Sequence, residues 1–365
     1  MKLWRLTAAA ALPVALGAGL ALYSLSWKYA GFPSEVFVDI PKGTGTRAVA
    51  GKLVASGVVR YRWQWLLARA LRPRAKLQAG EYLFRRAAST WEVLDRLARG
   101  DVFYYQVTIP EGSNLFDIAA ALEQQQIMPA AKFLEAAHDS GLIRDLDPRA
   151  PTLEGFLFPD TYRLSRHTTA RQLCQQMTER FRQTWQELEA GGADVHTVVT
   201  LASLVEKEAR LEAERPLVAS VYFNRLRIGM PLQCDPTTIY AALLEDRYRG
   251  AIYRSDLDNR HRYNTYQHAG LPPGPIANPG RSALEAALRP AQSPFLYFVA
   301  RPGNSGAHEF SKDMAAHERA VSKYRRGLHQ AKQASTAARA PGPNAAGAGR
   351  RGSVAGAPGA TRAHF

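Results

Sequence analysis

Val38-Asp39-Ile40-Pro41-Lys42-Gly43-Thr44 returns 69 positions later as Val107-Thr108-Ile109-Pro110-Glu111-Gly112-Ser113. Ala50 and Leu53 recur at the same offset as Ala119 and Leu122. Each copy reads as a short alternating strand, a Pro/Gly turn and an amphipathic helix. Thr44 and Ser113 stand where an N-cap is useful. The second half of each copy recurs too: Tyr82, Phe84, Ser89, Glu92, Val93 and Leu97 match Tyr162, Leu164, Thr169, Gln172, Leu173 and Met177 at an offset of 80. Ser89-x-x-Glu92 and Thr169-x-x-Gln172 are both capping boxes. Because the offset grows between the halves, the second copy carries extra residues, placed before Phe156. The repeat predicts an α+β fold with two related small modules, residues 35–102 and 103–187.

Outward from the repeat, the N-terminus holds an uncharged run from Leu6 to Trp27 behind Lys2 and Arg5. Its length, about 22 residues, is what a helix needs to cross a bilayer. Trp4, Tyr23 and Trp27 suit the two interfaces. The run lacks a small-x-small cleavage site before Lys28, so an uncleaved anchor over residues 1–30 is expected rather than a removed signal peptide. Lys2 and Arg5 keep the N-terminus cytoplasmic and put the remainder outside the cytoplasmic membrane. At the other end, residues 331–365 are mostly Ala, Gly and Pro with basic side chains and no acid, which predicts a disordered basic tail.

The chain has 365 residues, 46% of them hydrophobic, enough to build several globular cores. A net charge of +15 favours anionic partners. With no zinc-finger spacing and no Walker loop, no nucleic-acid partner is expected. Cys174 and Cys234 are the only cysteines. They read as small buried residues rather than a disulfide framework.

Residues 194–328 form a third region of mixed α+β pattern: helices from Val195 to Arg210, from near Pro216 to about Arg227, and from Asp235-Pro236 through Leu244, then a strand at Phe295–Ala300 and a helix from near Asp313. Within Thr200-Leu201-Ala202-Ser203-Leu204-Val205-Glu206-Lys207-Glu208-Ala209, the residues Leu201, Leu204, Val205 and Ala209 define one apolar arc at about 100° per residue. Glu208 projects inside that arc, and Glu206 and Lys207 project outside it on opposite flanks. A carboxyl facing a core must be neutral, paired or lining a cleft. Two readings stay open on spacing alone. Glu208 is a general acid whose proton is held by desolvation, or it pairs with an arginine, for which Arg215 and Arg225 are local candidates. Downstream, Asn224, Gln233, Asp235 and Thr237, then Tyr263-Asn264-Thr265-Tyr266, mix polar and aromatic groups as sugar sites do. The histidines show no ligand spacing, so no metal and no cofactor are expected.

Leu204-Val205-Glu206-Lys207-Glu208-Ala209, Val218–Met230 and Leu232-Gln233-Cys234-Asp235-Pro236-Thr237 resemble the YceG-like family of endolytic murein transglycosylases. Tyr263-Asn264-Thr265-Tyr266, Gly270–Gly280, Tyr297-Phe298-Val299-Ala300 and Glu154-Gly155-Phe156-Leu157-Phe158-Pro159-Asp160-Thr161-Tyr162 extend the likeness over about residues 1–328. The resemblance implies LysM-like modules before the catalytic part and anchorage in the bacterial inner membrane with a periplasmic active domain. It implies cleavage within nascent peptidoglycan strands between N-acetylmuramic acid and N-acetylglucosamine, leaving a 1,6-anhydro end. It makes the second glutamate of the E-K-E pair, Glu208, catalytic and Glu206 an auxiliary candidate. It implies peptidoglycan strands as substrate, and peptidoglycan synthases as partners. Cys234 stands where a small polar residue is usual, and the basic tail has no counterpart. Two competitors remain: a non-catalytic peptidoglycan-binding scaffold for synthases, and a pyridoxal-phosphate lyase, which the anchor would put on the wrong side of the membrane.

Overall fold

The computed structural model describes residues 14–303 and 305–339. The first described element, α1, covers residues 14–24. Among the described residues no helix is long and apolar enough to cross a membrane. Residues 6–13 of the Leu6–Trp27 run lie outside them.

The duplicated sequence becomes a duplicated topology. The first copy runs β1 (Val36–Ile40), α2 (Thr46–Ala55), α3 (Arg62–Leu71), β2 (Gly80–Phe84) and α4 (Thr90–Arg99). The second repeats that order as β3 (Tyr105–Thr108), α5 (Leu115–Gln124), α6 (Ala130–His138), β4 (Thr161–Leu164) and α7 (Ala170–Glu187). β1 and β2 pair antiparallel with Val38 opposite Tyr82, and β3 pairs with β4. The extra length of the second copy falls between α6 and β4, residues 139–160, where the first copy has only 72–79. Both Pro-x-Gly turns use a glycine in the left-handed region, Gly43 (φ 84°) and Gly112 (φ 76°), which side chains with a Cβ resist. The hydroxyls that follow close those turns: Thr44 Oγ1 donates to the Pro41 carbonyl at 2.6 Å and Ser113 Oγ to that of Pro110 at 2.8 Å. The expected caps therefore move by one residue, to Gly45 and Asn114, because each hydroxyl is already committed to its own turn. Both capping boxes form at Ser89 and Thr169.

Two compact units form among the described residues, 14–106 with 163–167, and 107–162 with 168–303 and 305–339. The first has its own core, in which Leu25, Val49, Leu53, Trp65, Tyr82 and Leu94 are fully buried. In the second unit, α7 is followed by α8 (Val195–Glu208), α9 (Arg215–Arg227), α10 (Asp235–Leu244), the short α11 (Arg254–Leu257) and α12 (Arg281–Leu288). The antiparallel ribbon β5 (Tyr297–Ala300) and β6 (His308–Ser311) and helix α13 (Met314–Arg339) complete it. Phe156 packs edge-on against Phe181 with ring centres 5.1 Å apart. α8 and α12 are neighbours, and α9 packs against both.

The C-terminal helix corrects one expectation. Composition predicts a structureless tail from Ala331, yet α13 continues to Arg339. Ala, Gln, Lys and Arg dominate that stretch, and their helix propensity lets a helix already started at Met314 continue through it. Residues 340–365 lie outside the described residues.

Candidate active site

α8 is the spine of the site. Val198, Val199, Leu201, Ala202, Leu204 and Val205 are buried along it. Ser203, also buried, donates to the Thr200 carbonyl at 2.7 Å and accepts the Ile276 N–H at 3.1 Å, which fastens the Pro/Gly loop 270–280 to the helix. Gly155 makes a second close approach. It adopts φ 87°, and a Cβ there would meet Pro275 Cγ at 2.5 Å and Val199 Cγ1 at 2.8 Å. The helix stops when Ala209 becomes extended (φ −91°, ψ 102°), so Glu208 is its last residue. That position places the carboxyl at the negative end of the helix dipole, where a negative charge is disfavoured.

The surroundings of Glu208 add to this. The residue is half-buried, and burial, joined by the nearby negative charge of Asp235, pushes its carboxyl up to about 7. Only the Cys234 thiol opposes the shift, donating to Glu208 Oε1 at 3.5 Å. Cys234 is held on both sides. Its N–H donates to Thr265 Oγ1 at 3.0 Å, and its carbonyl accepts the Thr237 hydroxyl at 2.6 Å. The two threonine hydroxyls lie 2.9 Å apart. Both cysteines are free and buried, and burial holds the Cys234 thiol well above its usual range, so it is a neutral donor. Tyr266 donates its hydroxyl to Asp235 Oδ1 at 2.6 Å.

The remaining residues singled out in the sequence divide by what their polar atoms do. Gln233 is exposed, and Asp235 and Tyr266 are half-buried, so these three keep surface beside Cys234 and Glu208 in the chain or in space. Thr237, Asn264 and Thr265 are buried at 0–1% exposure. Asn264 donates to the carbonyls of Asp256, Leu257 and Asn259 and accepts from Thr238 and the Tyr266 N–H. Asn224 donates to the carbonyls of Ser293 and Phe295 at 2.8 and 3.0 Å. Tyr263 is buried against Tyr240, with ring centres 5.1 Å apart.

The arginines do not go to Glu208. Arg215 binds Glu206 Oε1 at 2.8 Å and lies 3.5 Å from Glu111. Arg225 donates to the carbonyls of Leu296 and Leu232 at 2.7 and 2.9 Å and sits over the Tyr297 ring. Among the described residues, no cation forms an ion pair with Glu208. Glu206 therefore departs from its expected place on an outer flank: its side chain is only 5% exposed. The turn at residues 110–113 and the Pro/Gly loop cover that flank, and Gly280 N–H donates to Glu206 Oε2 at 3.0 Å. Lys207 closes the same joint by donating to the Gly112 carbonyl at 3.0 Å.

Glu154 is 1% exposed and accepts the Leu115 N–H, the Tyr240 hydroxyl and the Asn278 amide, each at 2.9 Å. Burial pushes its carboxyl up to about 8. Asn278 also accepts the Leu157 N–H and donates to the Ser113 carbonyl, so one buried acid–amide pair ties the 110s turn, the 150s loop and the Pro/Gly loop together.

Residues 38–323 match the YceG-like family. An endolytic murein transglycosylase of Bacillus subtilis is 32% identical over 80% of this chain and 85% of its own. One from Streptococcus pneumoniae is 29% identical over 79% of this chain and 58% of its own, longer sequence. A crystal structure of a YceG-like protein from Listeria monocytogenes superposes with a TM-score of 0.52 at 30% identity, covering 78% of this chain and 98% of that one. With a family match spanning most of its length and this fold in common, the chain belongs to the YceG-like family.

Proposed function

We propose that this protein is an endolytic murein transglycosylase and that Glu208 is its catalytic acid and base. The observation that carries the reading is a half-buried carboxyl at a helix C-terminus, lifted to about 7 and contacted by a thiol rather than by a cation. Relatives described as endolytic murein transglycosylases support the substrate class.

The chemistry follows from a single acid. Protonated Glu208 gives its hydrogen to the bridging oxygen as that oxygen leaves C1 of N-acetylmuramic acid, and positive charge develops on the ring. The new carboxylate then takes the proton from the 6-hydroxyl of the same sugar, whose oxygen bonds to C1 and closes the 1,6-anhydro ring. The proton balance returns Glu208 to its starting state. Because the nucleophile is tethered, neither a water nor a second acid is required, unlike in two-carboxylate glycosidases. Asp235, held by Tyr266, supplies negative charge near the developing cation. Gln233, Asp235 and Tyr266 are the proposed sugar contacts, and the buried Thr237, Tyr263, Asn264 and Thr265 together with Asn224 shape the wall behind them. Glu206 acts on the substrate only through the joint it locks with Arg215.

The same reading makes α1 the visible end of an inner-membrane anchor and the two repeats LysM-like modules. The long uncharged run supports the first and the recurrent strand–helix–helix–strand order supports the second. An enzyme anchored in this way cuts nascent strands beside their synthases.

Sacculi digested with the wild type should yield anhydro-ended glycans cut internally. Glu208→Gln should lose activity by at least about 100-fold with its thermal unfolding unchanged at acidic pH. Activity that persists in the variant would remove Glu208 from the role. Sacculi that are bound by the wild type without any release would leave a glycan-binding scaffold instead.

A further inference from the structure

α3 has two apolar faces, and only one of them meets protein. Trp65 and Ala68 are fully buried in the first unit's core. At about 100° per residue, Arg62, Trp63, Leu66 and Ala70 share the opposite face, and all four are exposed. Trp63 shows 45% and Leu66 37% of its surface to solvent. The repeat gives an internal reference. On α6, which occupies the same place in the second copy, the exposed residues include Lys132 and Glu135, and the fully buried ones are Phe133 and Ala137. The fold itself therefore does not require aromatic side chains on the outside of this helix.

The helix is also fixed beside the apolar N-terminal segment. Gln64 donates to the backbone carbonyl and the hydroxyl of Ser24, at 3.4 and 3.3 Å, where α1 ends. Leu25 is buried in the core just beyond, so the joint is rigid rather than a linker. Around it lie the exposed rings of Tyr23 and Trp27, in edge contact at 5.7 Å, and those of Tyr61 and Trp63, stacked at 6.5 Å. Charge completes the pattern. From Ile40 to Gly80 the chain carries nine Lys and Arg and no Asp or Glu.

We propose that α3 lies in the headgroup layer of an anionic bilayer, with Trp63 and Leu66 at the acyl boundary and Arg60 and Arg62 among lipid phosphates. A helix with an apolar outer stripe, flanking arginines and interfacial aromatics is the form that binds in the plane of a membrane. Each juxtamembrane cation adds attraction to an anionic leaflet. The first unit is then seated on the membrane by two contacts, the anchor and α3. The inference rests on the anchor reading given above.

The test uses the full chain with Trp63→Cys, labelled with an environment-sensitive fluorophore; Cys174 and Cys234 are buried and leave the new surface thiol to react. The protein is reconstituted in phosphatidylcholine vesicles with and without phosphatidylglycerol. With the anionic lipid, the label should shift to the blue, be quenched by lipids bearing a headgroup-proximal nitroxide, and lose its quenching by aqueous iodide. Arg60→Glu with Arg62→Glu should restore iodide quenching while the chain stays with the vesicles through an alkaline wash. A chain retained in that wash whose label remains open to iodide and untouched by the lipid nitroxide would overturn the seating of α3 and leave the anchor intact. Shielding by soluble peptidoglycan fragments with none from the bilayer would assign the face to glycan and likewise overturn it. Loss of the chain in the wash would remove both readings.

Discussion

Glu154 and Glu208, both in the second unit, are lifted from the ordinary range by the same leading cause, burial, in opposite surroundings. Glu154 is sealed, and three protein donors converge on it from three separate segments. Glu208 sits at the open end of α8 with one weak thiol donor. A raised proton affinity alone therefore does not mark a catalyst. Access does: a proton can be transferred only where a substrate oxygen can approach, and at Glu154 the approach is filled by Tyr240, Asn278 and the backbone of Leu115.

The largest expected contrast is between Glu208→Gln and Glu154→Ala. The first should reduce anhydromuropeptide release by about 10²- to 10⁴-fold and keep the fold. The second should do the reverse. It leaves a backbone N–H, an amide and a hydroxyl buried without their acceptor, at about 1–3 kcal/mol for each unpaired group. Urea denaturation should register that loss, while turnover per folded molecule is retained. Equal losses of activity in both variants, corrected for folded fraction, would break the distinction.

Next in size is the pH dependence. Under the proposed role glycan release needs Glu208 protonated, so the rate should fall as pH rises through about 7. Stability carries the same sign. Both acids hold a proton in the folded state at pH values where the unfolded chain, with an ordinary glutamate value of 4.5, has lost it. Stability contributed by each is full below the unfolded value and is lost as pH rises through the folded one. Thermal unfolding of Glu208→Gln should therefore depend less on pH than the wild type up to about 7, and that of Glu154→Gln less up to about 8. Parallel pH profiles for all three proteins would show that these acids titrate alike folded and unfolded.

The smallest effect concerns the thiol. Cys234 stabilises the Glu208 carboxylate, so Cys234→Ala should move the alkaline limb of the rate profile to higher pH by a fraction of a unit. Cys234→Ser, which keeps a donor, should leave the limb near or slightly below its wild-type place. A limb unmoved by alanine would mean that the thiol only fills space.

The site was legible in the sequence where local geometry governs and illegible where distant segments meet. Helical projection put Glu208 on the inward face of α8, and the turns and capping boxes followed from three- and four-residue spacings. The same projection erred at Glu206, because the flank it assigned to solvent is covered by a turn 95 positions away, whose Gly112 carbonyl takes Lys207. It offered Arg215 to the wrong glutamate for the same reason. Tyr263, Asn264 and Thr265 looked like sugar ligands because their chemistry suits sugars, but Asn264 and Thr265 spend that chemistry on backbone and hydroxyl partners inside the fold, and Tyr263 packs against Tyr240. Composition says what a side chain can bind, not what has already bound it.

By itself the sequence determined the duplication, the strand–turn–helix that opens each copy, the capping boxes of each second half, the α+β class and the helix that carries Glu208, since each depends on periodicity and on turn residues within a short stretch. The tertiary structure alone decided which of Glu154, Glu206 and Glu208 keeps exposed surface, which arginine pairs with which acid, and which aromatic rings of α3 face outward. Those outcomes depend on burial and on contacts between segments far apart in the chain, and the desolvation that chiefly raises the proton affinity of Glu208 exists only once those segments have met.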